Sequence, residues 1–407
     1  MLSCSAASRY SLGHSYRQPG DGKAASGKDA AIGLTTLARA ATVPKLVGSE
    51  RVGDLTGETM ADIDAITNAV RLACRAPSKY NSQPWRWVAD STTVNLFVDP
   101  ARIVYSADRL GREALISCGV VLDHFRVAMA ATGWNTTVGE FPNPNNLDHL
   151  ASITFTTMGH VTDTQQARAA AIAQRRTDRL PLYPPANWES FAPVLRATIG
   201  EGIVMLDVLA DDARPQLAYA SRLAESLRFY DEYYHDEMRW WTTPSSDSEG
   251  VPYSSLASEA ESERVDVHRD FPVSGHGQRR DQIPQDEAKI LVLSTHEDTR
   301  GDALHCGEAL SAVLLQCTMT GLATCTLTHL TELATSRHIV QELTEKAAVP
   351  QVLIRVGIAP ATDSVPPPTP RRALSEVLQI RGEDRSPSDM PDHPSTPINT
   401  NASGHHG

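Results

Sequence analysis

The sequence predicts an α+β fold built from two related halves, with a long insert in the second, and three observations carry this reading. Residues 112–132 and 303–320 read as long helices whose landmarks match at unbroken intervals: Cys118-Gly119 with Cys306-Gly307, Leu122 with Leu310, and Thr132-Gly133 with Thr320-Gly321. Each helix is followed by a glycine and then a β-prone run, 153–157 in one case and 352–356 in the other. Residues 244–287 are Ser-, Glu- and Gly-rich, punctuated by Pro252, Pro272 and Pro284, and too long for an ordinary connection. The helical stripes Leu122, Phe125, Met129 and Leu310, Val313, Leu314, Cys317 also fit two unrelated core helices, so periodicity alone leaves duplication open.

In chain order, residues 1–57 lack a sustained apolar period and read as a flexible arm, or as a start misassigned upstream of Met60. Thr59 and Asp62 form a capping pattern ahead of Met60, Ile63, Ile66, Ala69, Val70 and Ala73, and Pro77 ends that helix. Residues 85–88 and 94–98, joined by Asp90-Ser91-Thr92, read as a hairpin. The Ala-rich stretch 167–173 is helical, and residues 212–240 read as one long helix with Pro215 in its first turn. Its aromatic residues Phe229, Tyr230, Tyr233, Tyr234, Trp240 and Trp241 are expected mainly in the core. The insert at 244–287 is either disordered or a lid, and the lid is favoured. Residues 365–370 are stiff and extended, and the chain from Ser386 is expected to be unfolded. The resulting division is an arm to 57, a first half over 58–160, a second over 161–380, and a tail over 381–407.

The chain has 407 residues, 37 Lys and Arg against 49 Asp and Glu, and a net charge of −12, which suits one or two globular domains. That balance repels phosphate backbones, and no long basic run exists, so nucleic acid is a poor partner. Six cysteines show no CxxC pair or metal-ligand spacing, and they read as reduced thiols of a cytoplasmic protein. No stretch is expected to supply the roughly 20 apolar residues that cross a bilayer, and the first residues lack a secretory apolar region.

Phosphate-loop, dinucleotide-fingerprint, zinc-protease, nucleophile-elbow and EF-hand patterns are all missing. Three polar clusters remain. In Ala76-Pro77-Ser78-Lys79-Tyr80-Asn81-Ser82-Gln83-Pro84-Trp85, Asn81 and Gln83 each offer a donor and an acceptor, which matches the mixed edge of a flavin or base; the plainer reading is a helix-capping turn. Arg175-Arg176-Thr177-Asp178-Arg179 and Arg371-Arg372 place guanidinium groups, with a threonine hydroxyl, where a phosphate would be held; each alone also reads as solvated surface.

Taken together, APSKYNSQPWRW, SADRLGREALISCGVVLDHFRVAMAA, RRTDRLPL, CGEALSAVLL, GLATCTLTHLTE and TPRRALSEV resemble the FMN-dependent nitroreductase family, in its Acg-type subgroup, over roughly residues 60–380. The resemblance implies a nitroreductase-like fold in which both halves of an ordinary dimer are fused, giving a monomer that acts as an intramolecular pseudo-dimer with a lid insert. It implies FMN as cofactor and NAD(P)H as electron donor. It further implies that Arg175, Thr177 and Arg179 hold the FMN phosphate with Arg371 or Arg372. Ser78, Asn81, Ser82, Gln83 and Trp85 belong to the motif that reaches the flavin from the opposite half, and Thr326, Leu327 and Thr328 approach its N5 side. Lys79-Tyr80 stands where Leu-His is usual, and His305 replaces an arginine before Cys306-Gly307.

The implied reaction is ping-pong hydride transfer from NAD(P)H through flavin N5 to a nitroarene or quinone. No catalytic side chain and no metal ligand is nominated; Tyr80 and His329 are the nearest polar candidates. The rival is an FMN-sequestering protein whose insert closes the site against nicotinamide.

Overall fold

The computed structural model describes residues 61–381 apart from 91, 201, 243–248, 273, 274, 276, 278, 345, 346 and 362–366. The expected arm, the unfolded tail, Thr59, Met60 and Cys4 lie outside the described residues.

The first helix, α1 (Ile63–Ala73), starts at Asp62, whose carboxylate accepts from the Asp64 N–H at 3.0 Å. It buries Ile66, Ala69, Val70 and Ala73 as one stripe. The hairpin β1 (Trp85–Ala89) and β2 (Thr93–Val98) pairs Trp85 with Val98. Its turn is closed by the Asp90 carboxylate, which accepts from the Thr92 and Thr93 N–H groups at 2.8 and 2.7 Å. After α2 (Arg112–Ala131) come β3 (Trp134–Glu140) and β4 (His149–Thr157), which extend the sheet outward from β2.

The chain continues through α3 (Asp163–Gln174), α4 (Trp188–Ile199), β5 (Val204–Val208), α5 (Arg214–Arg228), α6 (Glu232–Thr242) and α7 (Glu259–Ser262). Then come β6 (Lys289–Thr295), α8 (Arg300–Met319), β7 (Ala323–Leu327), α9 (His329–Glu332), α10 (Ala334–Leu343) and β8 (Val349–Gly357). Strands β5, β6, β8 and β7 form a second, antiparallel sheet in that order. The last elements, α11 (Leu374–Val377) and β9 (Leu378–Ile380), return to the first sheet, where β9 runs parallel to β1.

Helices α2 and α8 pack on each other at the centre of one continuous apolar core that draws on both sheets. Glycine sets the crossing. A Cβ on Gly119 would strike the Leu304 carbonyl oxygen and lie 2.8 Å from the Gly307 Cα, while one on Gly307 would strike the Ile116 carbonyl oxygen and lie 2.7 Å from the Gly119 Cα. The contact is reciprocal, because Ile116 and Leu304 are separated by the same interval as Gly119 and Gly307. Asp123 and Ser311, again equivalent by that interval, hydrogen bond directly at 2.6 Å.

Two expectations are corrected. One helix, α2, is long and apolar enough by composition to cross a bilayer; 89% of its apolar window is buried in this core. The predicted single helix over 212–240 is two, because Asp231 accepts from the Tyr234 N–H at 3.0 Å and starts α6 after α5 has ended. The break leaves Phe229, Tyr230, Tyr233 and Trp240 exposed, and only Tyr234 and Trp241 of that aromatic group enter the core. The five described cysteines are free and buried.

Candidate functional site

A cavity of about 130 Å³ opens between the α2 and α8 faces. Its walls come from the 77–80 loop, from α2 through Glu113, Ile116, Ser117 and Val120, from the end of β7, and from the insert through residues 257–271. Of the residues singled out by the sequence, Ser78, Thr177, Arg179, Thr326, Leu327 and Thr328 all line it. The backbone explains the convergence of the last five. Thr177 bridges Thr324 in parallel and the Asp178 N–H donates to the Thr324 carbonyl at 2.8 Å, so the arginine-rich segment runs beside β7.

The loop carrying Ser78 is held in a costly conformation. Tyr80, Asn81 and Gln83 have φ of 49°, 58° and 53°, the left-handed region that non-glycine residues rarely occupy. Neighbours pin it. Ser78 Oγ accepts from the Gln83 N–H at 2.9 Å, and Asn81 Nδ2 donates to the Gly250 and Pro370 carbonyls at 3.0 and 3.2 Å. Gln83 Nε2 donates to the Asn81 carbonyl at 3.2 Å, and its Oε1 accepts from the Arg372 N–H at 2.9 Å. Ser82 is buried with its carbonyl on Arg102 Nε at 2.5 Å, and Trp85 is fully buried in the apolar core. Asn81, Ser82, Gln83 and Trp85 therefore shape the loop, and Ser78 is the member of this set that faces the cavity.

The arginines divide in an informative way. Arg175 is only 7% exposed, and its buried Nε has no hydrogen-bond partner among the described residues. Arg75, Arg176 and Arg371 surround it, and among the described residues no carboxylate pairs with any of the four. Burial, reinforced by Arg75 and Arg176, pulls the Arg175 pKa down to about 10, and Arg371 is lowered by burial and by Arg75 and Arg175. Arg371 also reaches the carbonyls of Cys74, Arg75 and Ala76 at 2.9, 3.0 and 3.2 Å, which fixes it to the end of α1. Arg372 is drawn elsewhere, to Glu376 at 3.3 Å and Asp99 at 3.6 Å. One buried guanidinium and three partly buried ones, none of them paired with a carboxylate among the described residues, suit a dianion such as a phosphomonoester.

Arg179 lines the cavity with its guanidinium 5.1 Å from the Phe271 ring centroid, and burial lowers its pKa. A buried ionic network forms the adjacent wall. Lys79 Nζ sits 2.5 Å from Glu113 and 2.7 Å from Glu332, and Glu332 is also paired with Arg269 and with Arg228 at 3.2 Å. Arg269 donates to the Tyr80 and Tyr234 hydroxyls at 3.0 and 2.7 Å, and Tyr80 meets Phe271 edge-on at 5.9 Å. Burial raises the Tyr80 pKa and lowers that of His329, whose Nε2 lies 2.7 Å from Ser221 Oγ, so both are neutral. The other unusual residue, His305, pairs with Glu140 at 2.8 Å and does not line the cavity.

Sequence reasoning missed Arg75, Lys79 as an ion-pair centre, Glu113, Arg269 and Glu332. Only Lys79 carried a signal, through its departure from the usual motif.

No family model matches the chain. In Mycobacterium tuberculosis, the protein named “Putative NAD(P)H nitroreductase acg” is 54% identical over 327 residues, covering 80% of this chain and 99% of that one. An uncharacterised protein of the same strain is 56% identical over 320 residues, covering 78% and 93%. A further relative from that organism, named “Putative NAD(P)H nitroreductase Rv3131”, is 38% identical over 323 residues, covering 78% and 92%. Among solved structures, the FMN-dependent nitroreductase NfnB from Mycobacterium smegmatis, in complex with NADPH, aligns with 54% of this chain and all of its own at 19% identity. Its TM-score of 0.34 is too low to transfer geometry.

Proposed function

The chain belongs to the Acg-type nitroreductase family, and from that premise we propose that it is an FMN-binding oxidoreductase using NAD(P)H as electron donor. The observation that carries the reading is Arg175: a buried guanidinium whose Nε has no partner, crowded by Arg75, Arg176 and Arg371, calls for an anion of the charge of the FMN phosphate. Thr177, two residues on from Arg175, lines the cavity, and Ser78, Arg179, Thr326 and Thr328, with the backbone of Leu327, offer polar groups there for the remainder of the cofactor; the four clustered arginines are not among the lining residues. FMN held there would supply two-electron hydride chemistry through N5 between NAD(P)H and an electron-poor nitroarene or quinone. The chain's own contribution is to neutralise the phosphate, to shape the cavity with the strained 80–83 loop, and to limit water with the insert.

The two halves are read as a fused pair acting as a cytoplasmic monomer, each contributing one wall to the seam. Support comes from the reciprocal contacts of Gly119 with Gly307 and Asp123 with Ser311.

One observation favours a second reading, in which FMN is sequestered with little turnover. Val265, His268, Arg269 and Phe271 of the insert line the same cavity, and Arg269 is tied down by Glu332 and two tyrosine hydroxyls. The absorption spectrum of the purified protein tests cofactor binding, and NADPH oxidation with menadione or a nitrofuran tests turnover. Activity in the unaltered chain supports the reductase; activity appearing only in Arg269→Ala with Phe271→Ala supports sequestration; a colourless protein that takes up no FMN refutes both.

A further inference from the structure

Two carboxyl groups share the ammonium group of Lys79, and their surroundings differ. Glu332 is served by three cations, Lys79, Arg269 and Arg228, and also accepts from the Thr328 hydroxyl at 3.3 Å. Its side chain is fully buried; burial opposes ionisation, but Arg269 and Lys79, with Arg228, outweigh it and hold the group below the usual carboxyl range. Glu113 has Lys79 alone at close range, with Arg112 at 3.5 Å and bidentate elsewhere on Gln351 and Thr331. Burial pushes Glu113 up; Lys79 opposes this, while Glu332 and Asp108 reinforce it. Asp108 is committed to the Glu113 and Ala114 N–H groups at 3.1 and 2.8 Å and faces Glu113 as a like charge. The groups facing Glu113 are thus Lys79, Arg112, Glu332 and Asp108.

Of the two carboxyls, Glu113, with Lys79 as its one close cation and Asp108 as a like-charged neighbour, is the one that takes up a proton more readily. Glu113 is 3% exposed, lines the cavity, and its Oε1 makes no hydrogen bond.

We propose that Glu113 is held as the neutral acid at neutral pH and is the proton donor of the cavity. The donor role rests on the oxidoreductase reading. Reduction of a nitro group to a nitroso group by one hydride needs one further proton and releases water. With FMN held in the cavity as the source of hydride, Glu113 would supply the proton, and the carboxylate left behind would pair with Lys79 until solvent reprotonates it. For a quinone, the same hydride and proton give the hydroquinone.

The test is infrared difference spectroscopy of the full-length protein at pH 7, where a neutral carboxylic acid has a carbonyl stretch separate from carboxylate bands. The wild type is expected to show such a band, E113Q to lack it, and Glu113→Asp, should E113Q fold poorly, to move it. On reduction of bound FMN and addition of a nitroarene, the band is expected to bleach and then recover. A wild type without the band overturns the protonation; a band unchanged through reduction and reoxidation overturns the donor role. If FMN fails to bind, the oxidoreductase reading falls and the donor role with it, while the band still decides the protonation state.

Discussion

Replacing Arg175 by methionine keeps most of the aliphatic stem and removes the charge, so it isolates the electrostatic cost of the cluster. The fall in proton affinity from the ordinary 12.5 to about 10, at about 1.4 kcal/mol per tenfold change, corresponds to about 3 kcal/mol of unfavourable charge burial. Burial is its main cause, with Arg75 and Arg176 adding to it. In FMN-free protein, Arg175→Met should therefore be more stable than wild type, by about 1–3 kcal/mol once imperfect packing is allowed for. The same variant should bind FMN more weakly, since a charge-assisted contact contributes about 1.5–3 kcal/mol, a loss of about 10- to 150-fold in affinity. Urea unfolding of flavin-stripped protein gives the first quantity and flavin fluorescence titration the second. Opposite signs are the signature of a preformed anion site. A variant that is destabilised without FMN, or that binds FMN as tightly as wild type, refutes the reasoning.

Other consequences can be checked on the same chain. Gly119→Ala and Gly307→Ala should each cost at least about 1–3 kcal/mol, because the new methyl meets backbone that cannot swing away; Gly159→Ala, with no atom within 4 Å of the added Cβ, serves as the near-neutral control. Asp286→Ala leaves the fully buried Arg355 without its counterion and should cost about 3–5 kcal/mol in urea unfolding. Asp298 is lowered to about 2: burial opposes ionisation, but hydrogen bonds from Arg337 and Gln351 overcome it. Its stabilisation is therefore complete above the ordinary 3.8 and lost as pH falls toward about 2, so the stability gap between wild type and Asp298→Asn should close over that window.

The parts of this molecule that were legible in its sequence are those decided locally. The two long helices, the hairpin and the loop from Ser78 to Trp85 each announce themselves by spacing, turn residues or proline. Apolar periodicity runs on through Phe229–Asp231, so the break there was hidden; it depends on one carboxylate turning back onto the Tyr234 N–H. The pairing of β9 with β1 joins residues from opposite ends of the described chain, and no local pattern encodes it. The site shows the same division. Arg175 and Arg371 stood out as cations in an acidic chain, whereas Arg75 looked like an ordinary basic residue at a helix end. Arg372 was indistinguishable from Arg371 until Glu376 and Asp99 were seen to claim it. The Lys79 network unites the loop, α2, α9 and the insert, and no single segment contains its logic.

The central claim is that the clustered arginines around Arg175 hold the phosphate of a flavin mononucleotide. Calorimetric titration of the wild-type chain with FMN and with riboflavin, which shares the ring and lacks the phosphate, tests it most directly. Binding of FMN at least 100-fold tighter, with the preference collapsing in Arg175→Met with Arg371→Met, is the predicted result. Equal affinity for the two ligands, or no affinity for either, would contradict it.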